Sequence, residues 1–225
     1  DIVCTKSGYG AYSDPGCHDY FNDCNFDMSC MAAIVAGNSD MTFNDCTAEC
    51  GSYFALTHCV NGWQEDVADI TVTGGDIHTK KECVLVKSHN MMLDLCDVNI
   101  SSDKGVLVHT IVNDDPCATK VTKDVFGVNV VMTDMDVKGD LIHEDTTREM
   151  WVMLNSTQLT GAIQHANVAF DKGSKWVATA DSDVAFVTDV EPAQIDAPAG
   201  VTITAKGAQA GEFALAGGGK LVVTA

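Results

Sequence analysis

The chain has 225 residues, 46% of them hydrophobic and 20% charged, which supplies enough apolar mass for a buried core and too much for a disordered polymer. Its 32 acidic residues against 13 basic ones give a net charge of −19, which argues against nucleic acid and anionic membrane surfaces as partners and favours cations or basic partners. No apolar run approaches the ~18 residues of a membrane-spanning helix, and the only arginine, Arg148, leaves no arginine clamp for phosphate or carboxylate substrates.

Cysteines punctuate the first half of the chain, at Cys4, Cys17, Cys24, Cys30, Cys46, Cys50, Cys59, Cys83, Cys96 and Cys117. No CxxC or CxxCH spacing occurs, so zinc-ribbon and c-type haem readings fall away. An even number of cysteines in an acidic chain fits disulfides formed in an oxidising compartment, and all ten are disulfide candidates. The expected location is therefore extracellular or at the cell surface. No leader peptide opens the sequence, so an exported protein would carry Asp1 as a processed or otherwise defined start.

In chain order, residues 1–62 are the least regular part, with many cysteines among Gly, Asp, Asn and Tyr. Disulfides are expected to replace a core there, and these residues read as a cysteine-rich segment packed on the remainder of the chain. MAAIVAG (31–37) fits a short helix or a buried strand equally well. From Met41 onward short alternating segments are broken at Gly, Asn, Asp or Ser, which predicts strands. Strand openings near Ile70, Met91, Val128, Met150, Asn167, Val184, Val201 and Leu221 recur with a loose period of about twenty and one insertion, 113–127, expected as a loop. Such a period in a helix-poor sequence predicts an all-β solenoid over 63–225, with parallel strands shared between coils. A β-sandwich is the rival, but apart from Asn61–Gly62 the turns lack the NG and DG chemistry of antiparallel hairpins.

In 128–137, Val128, Val130, Met132, Asp134 and Asp136 alternate with Val131, Thr133, Met135 and Val137, and the second set is expected to face inward. Methionines at strand positions, among them Met91, Met92, Met132, Met135, Met150 and Met153, read as core filler. The stretch 70–189, with MMLDLCDVNISSDKGVLVHTI, LTGAI and GSKWVAT, resembles the right-handed parallel β-helix of bacterial surface and adhesin-like proteins. That resemblance implies a fold and, more weakly, an adhesive role, because these motifs describe coils and not a catalytic signature.

Two residues apart on one expected strand, Asp134 and Asp136, with Asp140 next along the chain, form the one acidic constellation. It suits a Ca²⁺ ion or, in the alternative reading as a polysaccharide-binding or polysaccharide-cleaving enzyme, paired carboxylates. A solvated acidic face is the plainer interpretation. Lys138 and His143 are the only basic groups close by in sequence. The seven histidines show no HxH or HExxH spacing, and no GxSxG elbow occurs, so no catalytic residue is assigned. Asn99 and Asn155 sit in N-glycosylation sequons. Finally, Leu221, Val222, Val223 and Thr224 form an apolar terminal strand, expected to be an open edge covered head to tail by another copy in a fibre. The sequence thus predicts an extracellular structural or adhesive protein without enzymatic activity or cofactor beyond Ca²⁺. Its expected partners are itself or an extracellular glycan or protein surface.

Overall fold

The chain winds as a parallel β-helix in a computed structural model that describes residues 1–62, 65–119, 126–145 and 147–225. The first coil consists of β1 (Ile2–Cys4), β2 (Tyr9–Ser13) and β3 (His18–Asn22), the second of β4 (Asn25–Met28), β5 (Met31–Ala36) and β6 (Ser39–Asn44). The third comprises β7 (Thr47–Cys50), β8 (Ala55–His58) and β9 (Val67–Thr73), the fourth β10 (Asp76–Thr79), β11 (Val84–Lys87) and β12 (Asn90–Cys96). Next come β13 (Asn99–Ser102), β14 (Val106–Ile111) and β15 (Val128–Thr133), then β16 (Asp136–Lys138), β17 (Asp140–His143) and β18 (Met150–Asn155). In later coils two faces merge into single strands: β19 (Gln158–Thr160) precedes β20 (Ile163–Phe170), β21 (Lys175–Val177) precedes β22 (Ser182–Phe186), and β23 (Ile195–Asp196) precedes β24 (Thr202–Lys206). A hairpin of β25 (Gly211–Ala214) and β26 (Lys220–Thr224) follows the last coil.

Strands pair in parallel with their counterparts one coil later, so inward residues stack into columns; on the first face the ladder is interrupted between β13 and β16, which belong to separate sheets. On the first face Ile2, Phe26, Ala48, Ile77 and Ile100 are in register, and Val137, Leu159, Trp176 and Ile195 continue the same plan. On the second face Met41, Ile70, Leu93, Val130, Val152 and Val168 form one column. The third face stacks Ala33, Ala55, Val84, Val108, Leu141 and Ile163. Nearly all of these are fully buried, which removes apolar surface from water along the whole axis. Trp176 is the largest of the buried side chains, and its indole N–H donates to the Gly161 carbonyl at 2.8 Å. A β-sandwich is excluded, because the one antiparallel pair among the described strands is β25 with β26.

Residues 1–62 are not an irregular segment but coils continuous with the rest. Phe21, Phe26, Phe43 and Phe54 form an aromatic core with ring centroids 4.9–5.7 Å apart. The expected disulfides are not formed, and all ten cysteines carry free thiols. Four of them, Cys46, Cys50, Cys59 and Cys83, behave as small apolar residues of the interior.

The corner between the second and first faces reverses the inward set expected for 128–137. Asp23, Asp45, Gly74, Asp97, Asp134 and Ser156 occupy equivalent positions there, all left-handed, with φ between 48° and 66°. Asp, Ser and Gly tolerate this conformation because short polar side chains or none relieve the steric cost. Each such residue breaks the period of two. Val128, Val130 and Met132 therefore face inward, Val131 and Thr133 outward, and after Asp134 the inward set becomes Met135 and Val137. The methionines divide likewise: Met91, Met132, Met135 and Met150 are core, whereas Met92 is half-buried and Met153 exposed on the outer surface.

Candidate binding surface

The acidic constellation does not assemble on one face. Asp134 is a corner residue, Asp136 opens β16 on the first face, and Asp140 opens β17 on the third. The Asp140 carboxylate accepts the Ala162 N–H at 2.7 Å, a bond that joins successive coils. Among the described residues no group of three or more His, Cys, Asp or Glu is placed to hold a metal ion. The terminal strand is not an open edge either. Leu221, Val222, Val223 and Thr224 lie in β26, which pairs with β24 on one side and β25 on the other. The reason is local: residues 207–219 are rich in Gly and Ala and fold back, closing the strand with the chain's own backbone.

At the corner between the third and second faces, polar groups replace the apolar filling. His143 is held through both ring nitrogens, by the Thr110 hydroxyl at 2.5 Å and by the Arg148 carbonyl at 3.0 Å, and burial keeps its pKa below the usual imidazole value. Arg148, only 6% exposed, donates from Nε to Asn90 Oδ1 at 3.1 Å. Burial pulls its pKa down, and nearby Cys59 and Asp145 oppose that shift. The arginine missing from the surface is thus a buried tie between β12 and the turn before β18. His89 is fully buried, with Nδ1 near the Asn90 carbonyl (2.8 Å) and Thr57 Oγ1 (3.0 Å). A strap formed by residues 112–119 lies outside this corner. Lys87 holds it through Asp114 (2.7 Å) and Asp115 (2.5 Å), His58 reaches Asp115 at 3.1 Å, and Asn113 Nδ2 donates to the Cys59 carbonyl at 2.7 Å. Of the insertion expected over 113–127, residues 113–119 leave the ladder and lie on the surface of the solenoid, and 120–125 lie outside the described residues.

The outer side of the second face carries the most distinctive surface. Trp151 and Met153 point outward from β18 and are 38% and 47% exposed. Register places Met92, Asn129, Trp151 and Asn167 in one outer column, with Asp94, Val131, Met153 and Ala169 in the next. The first column continues through Ala185 to Lys206. Here the sheet bends at His165, whose left-handed backbone (φ 58°) coincides with a register shift in β20. The bend opens a groove of about 200 Å³ lined by Glu149, His165, Asn167, Asp183 and Lys206, with His143 and Arg148 as its floor. His165 Nδ1 lies 3.6 Å from Asp183 Oδ2, and Asn167 Nδ2 donates to Glu149 Oε2 at 3.5 Å.

An aromatic and thioether platform thus borders a groove that offers both donors and acceptors. Such a surface can stack an apolar ring face and hydrogen-bond hydroxyls at its rim. None of the site residues expected from sequence belongs to it. The available signal is MWVMLN (150–155), where apolar residues occupy both alternating sets, so one set has to be on the outside. No protein-family model, no curated protein and no solved structure matches this chain.

Proposed function

We propose that this protein is an extracellular adhesive solenoid that binds a glycan surface face-on through the Trp151 platform and the adjoining groove. The observation that carries the reading is the exposed Trp151–Met153 pair on a regular sheet, beside a groove whose polar groups include both signs of charge. A pyranose ring has an apolar face and an equatorial rim of hydroxyls, which matches an aromatic side chain flanked by amide, carboxylate and ammonium groups. The net charge of −19 directs the choice towards neutral or cationic polymers.

Native electrophoresis through gels containing soluble neutral polysaccharides tests this. The wild-type protein should be retarded by at least one polymer, and Trp151→Ala should weaken that retardation at least tenfold, about 1.4 kcal/mol, with an unchanged melting curve. Absence of retardation across neutral and cationic polymers, or equal retardation of the variant, overturns the proposal. Measuring reducing ends in the same incubations separates binding from cleavage, the alternative activity.

A further inference from the structure

We propose that Cys24 and Cys46 are a site of oxidative modification, closing to a disulfide that staples the second coil to the third. The two residues come directly after the left-handed Asp23 and Asp45 at equivalent corners, one coil apart. Register fixes them on both sides: Asn22 pairs with Asn44 before the corner and Asn25 with Thr47 after it. Across the corner itself, the Asp23 N–H donates to the Asn44 carbonyl and the Thr47 N–H to the Cys24 carbonyl, both at 2.9 Å. Side chains repeat the connection, with Asn44 Nδ2 donating to Asn22 Oδ1 at 2.8 Å and Thr47 Oγ1 to Asn25 Oδ1 at 2.7 Å.

Neighbouring strands of a sheet lie about 4.8 Å apart, inside the Cα separation of roughly 4.4–6.8 Å that a disulfide spans. The thiols also take the same pose. Each donates to the carbonyl two residues earlier, Cys24 to Asn22 and Cys46 to Asn44, both at 3.4 Å, and Cys46 Sγ also reaches the Phe21 carbonyl of the preceding coil at 3.5 Å. Among the cysteines that lie within strands no pair shares a register: Cys4 and Cys50 flank Met28, Cys50 also faces Thr79, and Cys96 lies between Thr73 and Thr133.

Accessibility sets the order of events. Cys24 is half-buried, whereas Cys46 is 1% exposed and burial raises its pKa. With a low-molecular-weight disulfide such as oxidised glutathione as oxidant, the Cys24 thiolate attacks one sulfur and releases one glutathione thiol. The Cys46 thiolate then attacks Cys24 Sγ in the mixed disulfide and displaces the second. Two protein thiols are oxidised to one disulfide, one glutathione disulfide is reduced to two thiols, and the two protons lost by the cysteines are taken up by the departing glutathione thiolates.

The test is to expose the folded, reduced protein to oxidised glutathione, alkylate the remaining thiols and digest without reductant, using a protease that cleaves before Asp. The expected product joins the peptide 23–26, which holds only Cys24, to the peptide 45–65, and Cys46→Ser abolishes it. The cross-linked protein should also melt at a higher temperature than the same sample after reduction. The proposal is overturned if peptide 23–26 is recovered alkylated, remains capped by glutathione, or stays linked to any peptide in Cys46→Ser.

Discussion

Burial of His89 in its neutral form should cost this protein stability well above the pH at which its carboxylates titrate. The imidazole is 0% exposed, its Nδ1 is committed near the Asn90 carbonyl and Thr57, and its Nε2 has no hydrogen-bond partner among the described residues. Burial lowers its pKa from 6.5 to about 4; the Asn90 carbonyl opposes that shift, and the positive charge of Arg148 adds to it. The unfolded chain takes up a proton as pH falls through about 6.5, while the folded chain refuses it until about 4. Stability therefore falls between those values and levels off below them for this group. At about 1.36 kcal/mol per pKa unit the whole loss is about 3 kcal/mol, of which about 2.5 kcal/mol is reached by about pH 4.5. Urea denaturation of the wild type and of His89→Gln across about pH 7.5 to 4.5 isolates the effect, because the carboxylates titrate in both proteins. The wild type should lose about 2.5 kcal/mol relative to the variant over that range. Parallel pH profiles for the two proteins would refute the reasoning.

Gly75→Ala should be severe, because φ is +85° and a Cβ would lie 2.0 Å from the Cys46 carbonyl oxygen, so backbone must move. A cost of about 2–4 kcal/mol predicts a melting temperature lower by about 5–10 °C; a shift within about 2 °C contradicts the packing described. Lys87→Met should release the strap without unfolding the coils, so limited proteolysis within 112–119 should accelerate several-fold while the urea midpoint moves little. In the wild type, burial acts against both charges, but pairing prevails: the pKa of Asp115 is lowered and that of Lys87 raised. The contribution of Asp115 is present above about pH 4 and lost as pH falls through its lowered value, and that of Lys87 persists until pH rises beyond about 10.4. In a His58→Gln background, which removes the other group on Asp115, cleavage should therefore be flat between about pH 5 and 9, and a rise in the middle of that window would exclude the Lys87 pairing as the clamp.

The solenoid is legible in the sequence because its inner columns repeat at coil spacing, and the steps from Met91 to Val128 and from Val128 to Met150 expected from sequence are the observed registers. Inside and outside are harder to assign. A period-two pattern carried through Asp134 inverts one side of the corner, and nothing in a single Asp announces a left-handed backbone. Composition obscures the first coils. Phe21 and Phe43 are directly in register, yet they stand among cysteines that suggest cross-links in place of a core. The polar corner is invisible in the sequence, since Asn90 and Arg148 are bonded across a wide sequence separation and belong to separate coils.

The closure of β26 by β25 also bears on how this molecule would meet a partner. A sheet presents either its edge, where unpaired backbone groups recruit a strand irrespective of its sequence, or its face, where side chains select. At the C-terminal hairpin both sides of β26 are already paired, so the sequence signal for strand addition there, an apolar run guarded only by Lys220, has been answered within the chain. The apolar groups left in contact with water on β18 lie on a face, backed by Val152 and Leu154, which are buried to within 1%. Their backbone is paired on both sides, by β15 and β20, so Trp151 and Met153 are presented with little freedom to lose on binding. A surface of that kind favours a flat, extended ligand over a flexible strand, which is the physical basis for the proposal that the second face binds a glycan surface.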